Sequence, residues 1–382
     1  MNIGVFFGSR SPEHDVSIIT GEFIISGLKK LNYGIMPVYL DKTGRWSVGQ
    51  GLEKLSFFKD GNKVDSLKSC YLDLEKSKGK MVFKEKGLLG KEIVIDLAFP
   101  AFHGQNGEDG TVQGLFELCN VPYVGCDVAA SAIAMDKILT KEFYQAHGIA
   151  TTKFVSFFAR EFTKDKEIVS HKIKDLKYPL FVKPARLGSS IGITKVGNEQ
   201  ELEQAIEVAL HYETKILVEE GVEELADITC AVLGNDEPQA SLLQESLFNK
   251  DLFSYEDKYL EEGGAQLGNA QEKIVIPARL DERTTSSTQE LAKRIFKLCG
   301  CSGTARVDFL YDKKNKVMYA NEINTLPGTL YHHLWKKSGV EFPALLQKLI
   351  NLAREKYATK KNLTSSFESK ILEQANSMKL RP

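Results

Sequence analysis

From its second residue to about residue 125 the chain alternates short apolar runs with helix-patterned ones. NIGVFFG at 2–8 reads as a strand running into a glycine turn, and VSIITGEFIISGLKKL at 16–31 has helical apolar spacing. YGIMPVYL at 33–40 is the next strand. VIDLAFPAFHG at 94–104 is another, ending in a glycine loop, and TVQGLFELCNV at 111–121 is a helix before VPYVG closes the pattern. Strand–helix–strand alternation of this kind predicts an α/β unit with a parallel, doubly wound sheet. In such sheets ligands sit outside the carboxyl ends of the strands. That places PEHDVS (12–17) and AFHGQNGEDG (101–110) at candidate site positions. The lysine-rich stretch from about Gly49 to Lys91 reads as a meander or an insertion.

A chain of 382 residues is long enough for two or three domains. The divisions expected are 1–128 for the α/β unit, 129–243 for a central α+β unit, 244–358 for a third unit, and 359–382 for a polar tail. The central unit starts with one helix, AASAIAMDKILTKEFYQAHG, followed by strands at TTKFVSFF, YPLFVKPA and KILVEEGV. A formal net charge of −1 gives no global field for nucleic acid or an anionic membrane. No apolar run reaches the roughly 18 residues of a membrane helix. The N-terminus reads as a strand and not a signal peptide. The six cysteines form no C-x-x-C pair, which suits reduced thiols in the cytoplasm.

Chemistry concentrates in a few segments. In ARVDFLYDKKNKVMYANEINTLPG (305–328) two strands flank the turn DKKNK, and Glu322 and Asn324 share a strand face, with Asp308 across the hairpin. Two carboxylates and an amide oxygen are hard ligands suited to Mg²⁺; a solvated polar face is the alternative. In YPLFVKPARLGSSIGITKV (178–196) Lys183 precedes a loop with Gly188, Ser189, Ser190 and Gly192. Its backbone N–H groups suit a phosphate, and a plain glycine hairpin is the bland reading. Met135-Asp136-Lys137, with Lys141 one turn later, offers further phosphate lysines or merely solvated ones. His103, Glu108 and Asp109 mark the AFHGQNGEDG loop as a site or a structural turn. Near the first strand, Asp15 or Ser17 reads as a helix cap, with Glu13 or Asp15 meeting a cationic amino group as the alternative.

In this order, EHDVS, HGQNGEDGTVQG, MDK, FVKPARLGSSIG, YEDKYL, ARVDF and NEINTLPG resemble the D-alanine–D-alanine ligase family of the ATP-grasp superfamily, across nearly the whole chain. The resemblance implies a three-domain ATP-grasp fold, with ATP and two Mg²⁺ ions (Mn²⁺ an alternative) between the central and C-terminal units. It implies phosphorylation of one D-alanine carboxylate, then attack by the amine of a second, giving a dipeptide for peptidoglycan precursors. By the resemblance, Asp308, Glu322 and Asn324 hold the metals. Lys137 and Lys183 hold phosphates, and Ser189 and Ser190 lie over them. Glu219 meets adenine, with Val222 in the linking backbone, and Asp227 meets the ribose. Glu13 and His103 line the first amino-acid site, Arg306 and the N–H of Gly328 stabilise the oxyanion, and Lys258 and Tyr259 form a lid. The family also implies a homodimer.

Three departures stand out. Asp15 replaces a second glutamate. Asp227 replaces the ribose glutamate, after one extra residue. The family's serine that binds the second carboxylate is absent from Thr329-Leu330-Tyr331-His332-His333-Leu334-Trp335, where His333 aligns with its position. His333 or Tyr331 then donates to that carboxylate, or the segment reshapes the pocket for another acceptor, or it packs the core. The expected activity is therefore D-alanyl-D-alanine synthesis. The alternatives are a D-alanyl-D-X or other amino-acid ligase and a non-catalytic ATP-binding regulator.

Overall fold

The computed structural model describes residues 1–49, 51–247, 274–364, 366, 368, 369 and 371. The first sheet comprises β1 (Asn2–Gly8), β2 (Gly34–Leu40), β3 (Trp46–Val48), β4 (Cys70–Leu72), β5 (Met81–Glu85), β6 (Glu92–Ile95) and β7 (Leu97–Pro100), in the order β6-β5-β4-β3-β2-β1-β7. Only β1–β2 and β1–β7 pair in parallel. From β2 to β6 every pairing is antiparallel. The expected parallel sheet is thus a mixed one. A parallel crossover needs a dozen or more residues, and the helix His14–Leu28 supplies it between β1 and β2. The links β2–β3, β4–β5 and β5–β6 are too short for a crossover and turn back.

Two local readings also change. VIDLAFPAFHG is broken at Asp96, whose carboxylate accepts from the Asn2 N–H at 2.7 Å, so β6 and β7 pair with different neighbours. VPYVG contributes a single bridge, Ala98 to Tyr123.

The second sheet, β8 (Phe154–Phe158), β9 (Leu180–Pro184), β10 (Thr194–Val196) and β11 (Lys215–Glu220), is antiparallel in the order β10-β9-β11-β8. Alternation along β9 buries Leu180 and Val182 against Ile206 and Ala209 of the helix Glu199–Leu210. The same alternation turns Phe181 and Lys183 to the other face.

The third sheet, β12 (Leu225–Gly234), β13 (Gln239–Ser246), β14 (Ile274–Val275), β15 (Gly303–Asp312) and β16 (Val317–Asn324), has the order β14-β13-β12-β15-β16. It packs on the helix Glu282–Leu298 through Ile228, Cys230, Val307, Ile295 and Phe296. β12 and β13 therefore belong with the acidic hairpin, and the division expected between residues 243 and 244 falls inside β13. The long apolar face of β12 has its burial partner here.

The helix expected from Ala129 is two helices, Val128–Met135 and Lys137–Ala146. Asp136 leaves helical geometry and caps the second, accepting from the N–H groups of Ile138 and Leu139 at 3.0 and 3.1 Å. The last helix, Phe342–Lys361, runs past the expected start of the tail and buries Leu345, Leu346, Leu349 and Ile350. The six thiols are free and buried. Among the described residues no helix is long and apolar enough to cross a membrane.

Candidate active site

A cavity of about 800 Å³ lies between the second and third sheets. Lys183, Ser189, Ser190 and Glu219 line it from one side, and Asp227, Arg306, Asp308, Glu322 and Tyr331 from the other. A pocket of about 60 Å³ adjoins it, walled by Glu13, His103 and Glu108 from the first unit and by Gly328. Lys137, Ser189, Arg306 and Glu322 border both.

The acidic hairpin is built as its alternation predicts. Asp308 lies opposite Glu322 and Arg306 opposite Asn324 in the β15–β16 register, with a bulge just after Asp308. Arg306 grips Asp308 through Nε at 2.8 and 3.0 Å and Nη2 at 2.5 Å. Thr229 Oγ1 donates to Asp308 at 3.0 Å and Asn324 Nδ2 at 3.1 Å. Burial raises the Asp308 carboxyl, with Arg306 pulling the other way and Glu322 adding to the rise. A buried carboxylate, Asp308, and a partly exposed one, Glu322, with Arg306 beside both, fit a divalent cation by donor type: carboxylate oxygens are hard ligands.

The opposite wall carries lysines. Lys137 Nζ donates to the Leu187 carbonyl at 2.7 Å and stands 3.7 Å from Glu322. Lys183 is ion-paired with Glu219, which also meets Lys141 at 2.6 Å and accepts from Thr152 Oγ1 at 2.6 Å. Burial pushes the Glu219 carboxyl up, but the two lysines outweigh it and hold the group well below the usual range. Glu219, expected at adenine, is thus tied to the expected phosphate lysine, while Val222 and Asp227 line the same cavity. Ser189 and Ser190 both adopt left-handed backbone, φ 57° and 60°. The Ser189 hydroxyl donates to Glu13, and a Cβ on Gly188 would stand 2.9 Å from that carboxylate. A side chain there would push the Glu13 carboxylate aside.

In the small pocket Glu13 is 5% exposed. Burial, then the charge of Glu13, pushes the Glu108 carboxyl up to about 8, although the Gly104 N–H donates to it at 2.7 Å. His103 Nε2 pairs with Thr20 Oγ1 at 2.9 Å, and burial with Arg306 nearby lowers the ring to about 4. Asp15 is not a cap: its side chain is 81% exposed, beside Lys42 at 3.7 Å, and Glu13 holds the cap position, its carboxylate turned to Ser189 and not to the helix N–H groups.

The segment after Gly328 runs through three left-handed residues, Thr329, Leu330 and Tyr331 (φ 47°, 56° and 49°). This bend sets the Tyr331 ring 4.8 Å from the Arg306 guanidinium, within the cavity wall. His333 goes elsewhere. Its Nε2 pairs with Gln244 Oε1 at 2.7 Å, and it borders neither cavity. The expectation that His333 replaces the carboxylate-binding serine is not met, because the bend points the ring at β13. His332 packs against Phe23, ring centroids 4.5 Å apart. Lys258 and Tyr259 lie outside the described residues.

Sequence reasoning singled out Glu108 without a role and Lys141 as a phosphate lysine or a solvated one, whereas Lys141 is buried on Glu219 and lines neither cavity; it missed Thr20, Thr152, Thr229 and Gln244. The signals for the first two were local: the glycine loop around Glu108, and a lysine one helical turn after Lys137. Nothing in the sequence marks the other four.

Comparisons with known proteins agree along the chain. Residues 2–126 match the model "D-ala D-ala ligase N-terminus" and residues 143–351 match "D-ala D-ala ligase C-terminus". The D-alanine--D-alanine ligase of Thermosipho melanesiensis is 39% identical over 374 residues, covering 97% of this chain and 98% of that protein. Among solved structures, the D-alanine-D-alanine ligase from Coxiella burnetii superposes with a TM-score of 0.78 at 32% identity, covering 94% of this chain and 96% of that one. The VanG D-Ala:D-Ser ligase from Enterococcus faecalis gives 0.77 at 35% identity, covering 92% and 99%.

Proposed function

This chain belongs to the D-alanine–D-alanine ligase family, and from that premise we propose that its cleft joins two D-alanines at the expense of ATP, supplying D-alanyl-D-alanine for peptidoglycan precursors. The observation that carries the reading is convergence. Lys137, Lys183, Arg306, Asp308 and Glu322, from four different elements, line one cavity that adjoins the Glu13 pocket.

A carboxylate is a poor acyl donor until its oxygen becomes a leaving group. Phosphoryl transfer supplies that change, and it requires alignment and charge neutralisation more than a protein nucleophile. Lys137 and Lys183 would hold the phosphates beneath the Ser189-Ser190 loop. Val222 and Glu219 would border adenine, and Asp227 the ribose. Asp308, Glu322 and Asn324 would hold two Mg²⁺ ions, or Mn²⁺, which supply neutralisation of the triphosphate charge. In the small pocket, Glu13 and His103 would set the first D-alanine by its ammonium group. One of its carboxylate oxygens then attacks the terminal phosphorus, ADP leaves, and an acylphosphate forms. The amine of the second D-alanine attacks the acyl carbon. Arg306 and the Gly328 N–H would stabilise the oxyanion of that tetrahedral intermediate, and its collapse expels phosphate. Tyr331, beside Arg306, would donate to the second carboxylate; burial pushes its phenol up to about 12, which keeps the proton on. Lys258 and Tyr259 would close the lid that keeps water from the acylphosphate. By family resemblance alone, the protein is a cytoplasmic homodimer.

The chemistry is tested by supplying D-alanine with heavy oxygen in its carboxylate. An acylphosphate route transfers one labelled oxygen to the released phosphate. Unlabelled phosphate, with dipeptide formed, rules that route out.

A further inference from the structure

We propose that Lys141, acting through Glu219, determines whether Lys183 can leave its ion pair to take a nucleotide phosphate, which makes Lys141 a positioning residue for the triphosphate. The inference rests on the reading that the large cavity holds ATP.

The two lysines around Glu219 differ in every respect that matters. Lys141 is 1% exposed and absent from the cavity lining. Its ammonium has three donors, and the structure uses all of them: Thr151 Oγ1 at 2.8 Å, Thr152 Oγ1 at 2.8 Å and Glu219 Oε2 at 2.6 Å. Lys183 is 12% exposed, lines the cavity and pairs with the other carboxylate oxygen, Oε1. One lysine is locked and the other faces the ligand space. Because they use separate oxygens, Lys183 can depart without disturbing the Lys141 contact.

Charge makes that departure feasible. A buried carboxylate without a counter-ion carries a heavy desolvation penalty. With Lys141 and Thr152 in place, Glu219 keeps a cation and a hydroxyl donor after Lys183 turns to a phosphate. Without Lys141, Lys183 would be the one lysine among the described residues paired with Glu219, and binding a phosphate would strand the carboxylate. Lys183 would then stay on Glu219. Burial pulls the Lys141 ammonium down and Glu219 acts against that pull, consistent with a cation kept in place by this carboxylate. Lys141 touches no ligand space itself, and Glu219, which both lysines grip, is the side chain that joins it to Lys183.

The test is ADP–Mg²⁺ binding by calorimetry, together with separate KM values for ATP and D-alanine. Lys141→Met should weaken ADP binding about tenfold or more and raise the KM for ATP in step, with the KM for D-alanine changed by less than about twofold. Lys141→Arg should recover most of the affinity. The double variant Lys141→Met with Glu219→Gln should bind ADP more tightly than Lys141→Met alone, since Lys183 then has no buried charge to hold it. Unchanged ADP affinity in a folded Lys141→Met protein overturns the inference, as does a double variant no better than the single one. Should Lys141→Met fail to fold, Thr152→Val takes its place: about threefold weaker ADP binding supports the role, and unchanged binding overturns it. Wild-type protein that binds no ADP overturns the ATP reading itself, a result distinct from any of these.

Discussion

The two ends of the cleft bury opposite charge imbalances. At one end a single carboxylate, Glu219, faces Lys141 and Lys183. At the other, the carboxylates of Asp308, Glu322 and Glu13, with the protonated Glu108 beside them, gather about Arg306. Neither arrangement neutralises itself. The lysine end has charge to offer a triphosphate, and the carboxylate end has charge to offer metal ions and an amino group. Lys137 stands between them, tied to the Leu187 carbonyl and near Glu322. A reaction that moves a phosphoryl group from nucleotide to carboxylate has to cross that boundary, so the difference between the ends is the layout of the chemistry.

The sharpest way to break the comparison is to remove charge from the carboxylate end. Glu322→Gln should lower kcat about 10³-fold or more, with the melting temperature little changed, because the side chain is 27% exposed. Phosphate-release rates and a melting curve check this, and near-normal turnover would reassign the hairpin. At the lysine end, Lys183→Met should raise the KM for ATP about tenfold to a hundredfold while affecting the D-alanine KM much less. Equal effects on both would erase the division between the ends.

Proton linkage offers a subtler probe. With its carboxyl held up near 8, native Glu108 keeps a proton that the unfolded chain has shed. Folding therefore binds a proton across the range from about pH 4.3 to 8, and the stability from this group is full below that range and lost as pH rises through it. An incoming ammonium beside Glu13 and Glu108 favours the ionised form. D-alanine binding at neutral pH should thus release up to about one proton, seen as a buffer-dependent binding enthalpy. Glu108→Gln should abolish that dependence. The smallest effect is expected at His333, which the bend after Gly328 removes from the cleft. His333→Ala should leave both D-alanine KM values within about twofold and cost about 1 kcal/mol of stability by unpairing Gln244.

What was legible in the sequence follows local periodicity. A period of two puts Asp308 and Glu322 on facing strands and sends Lys183 away from the core that holds Leu180 and Val182. Those placements needed no tertiary information. The extension of the first sheet through β3 to β6 did, since short strands acquire direction from whichever neighbour is available. The break at Asp136 was hidden under continuous helical apolar spacing, although aspartate is a good N-cap. The capture of Lys183 by Glu219 follows from the β9–β11 register, which sets Lys183 opposite Leu217, two residues from Glu219, and that of Lys141 from how the helix Lys137–Ala146 docks against β11; no spacing reveals either. The bend at Thr329, Leu330 and Tyr331 was least legible of all. Left-handed turns are signalled by glycine or asparagine, and here a β-branched residue and two large ones take that conformation. Such strain persists where surrounding structure holds it and concentrates at functional sites. In this fold it presses Tyr331 against Arg306.

The central claim is that the two ends of the cleft act together on two D-alanines. The most direct measurement is phosphate release by the purified protein with ATP, Mg²⁺ and D-alanine, with other D- and L-amino acids tested in parallel and products identified by mass. The account predicts release with D-alanine alone, with one D-alanyl-D-alanine formed for each phosphate. Release that requires a different acceptor, or that occurs without any D-alanine, would contradict it.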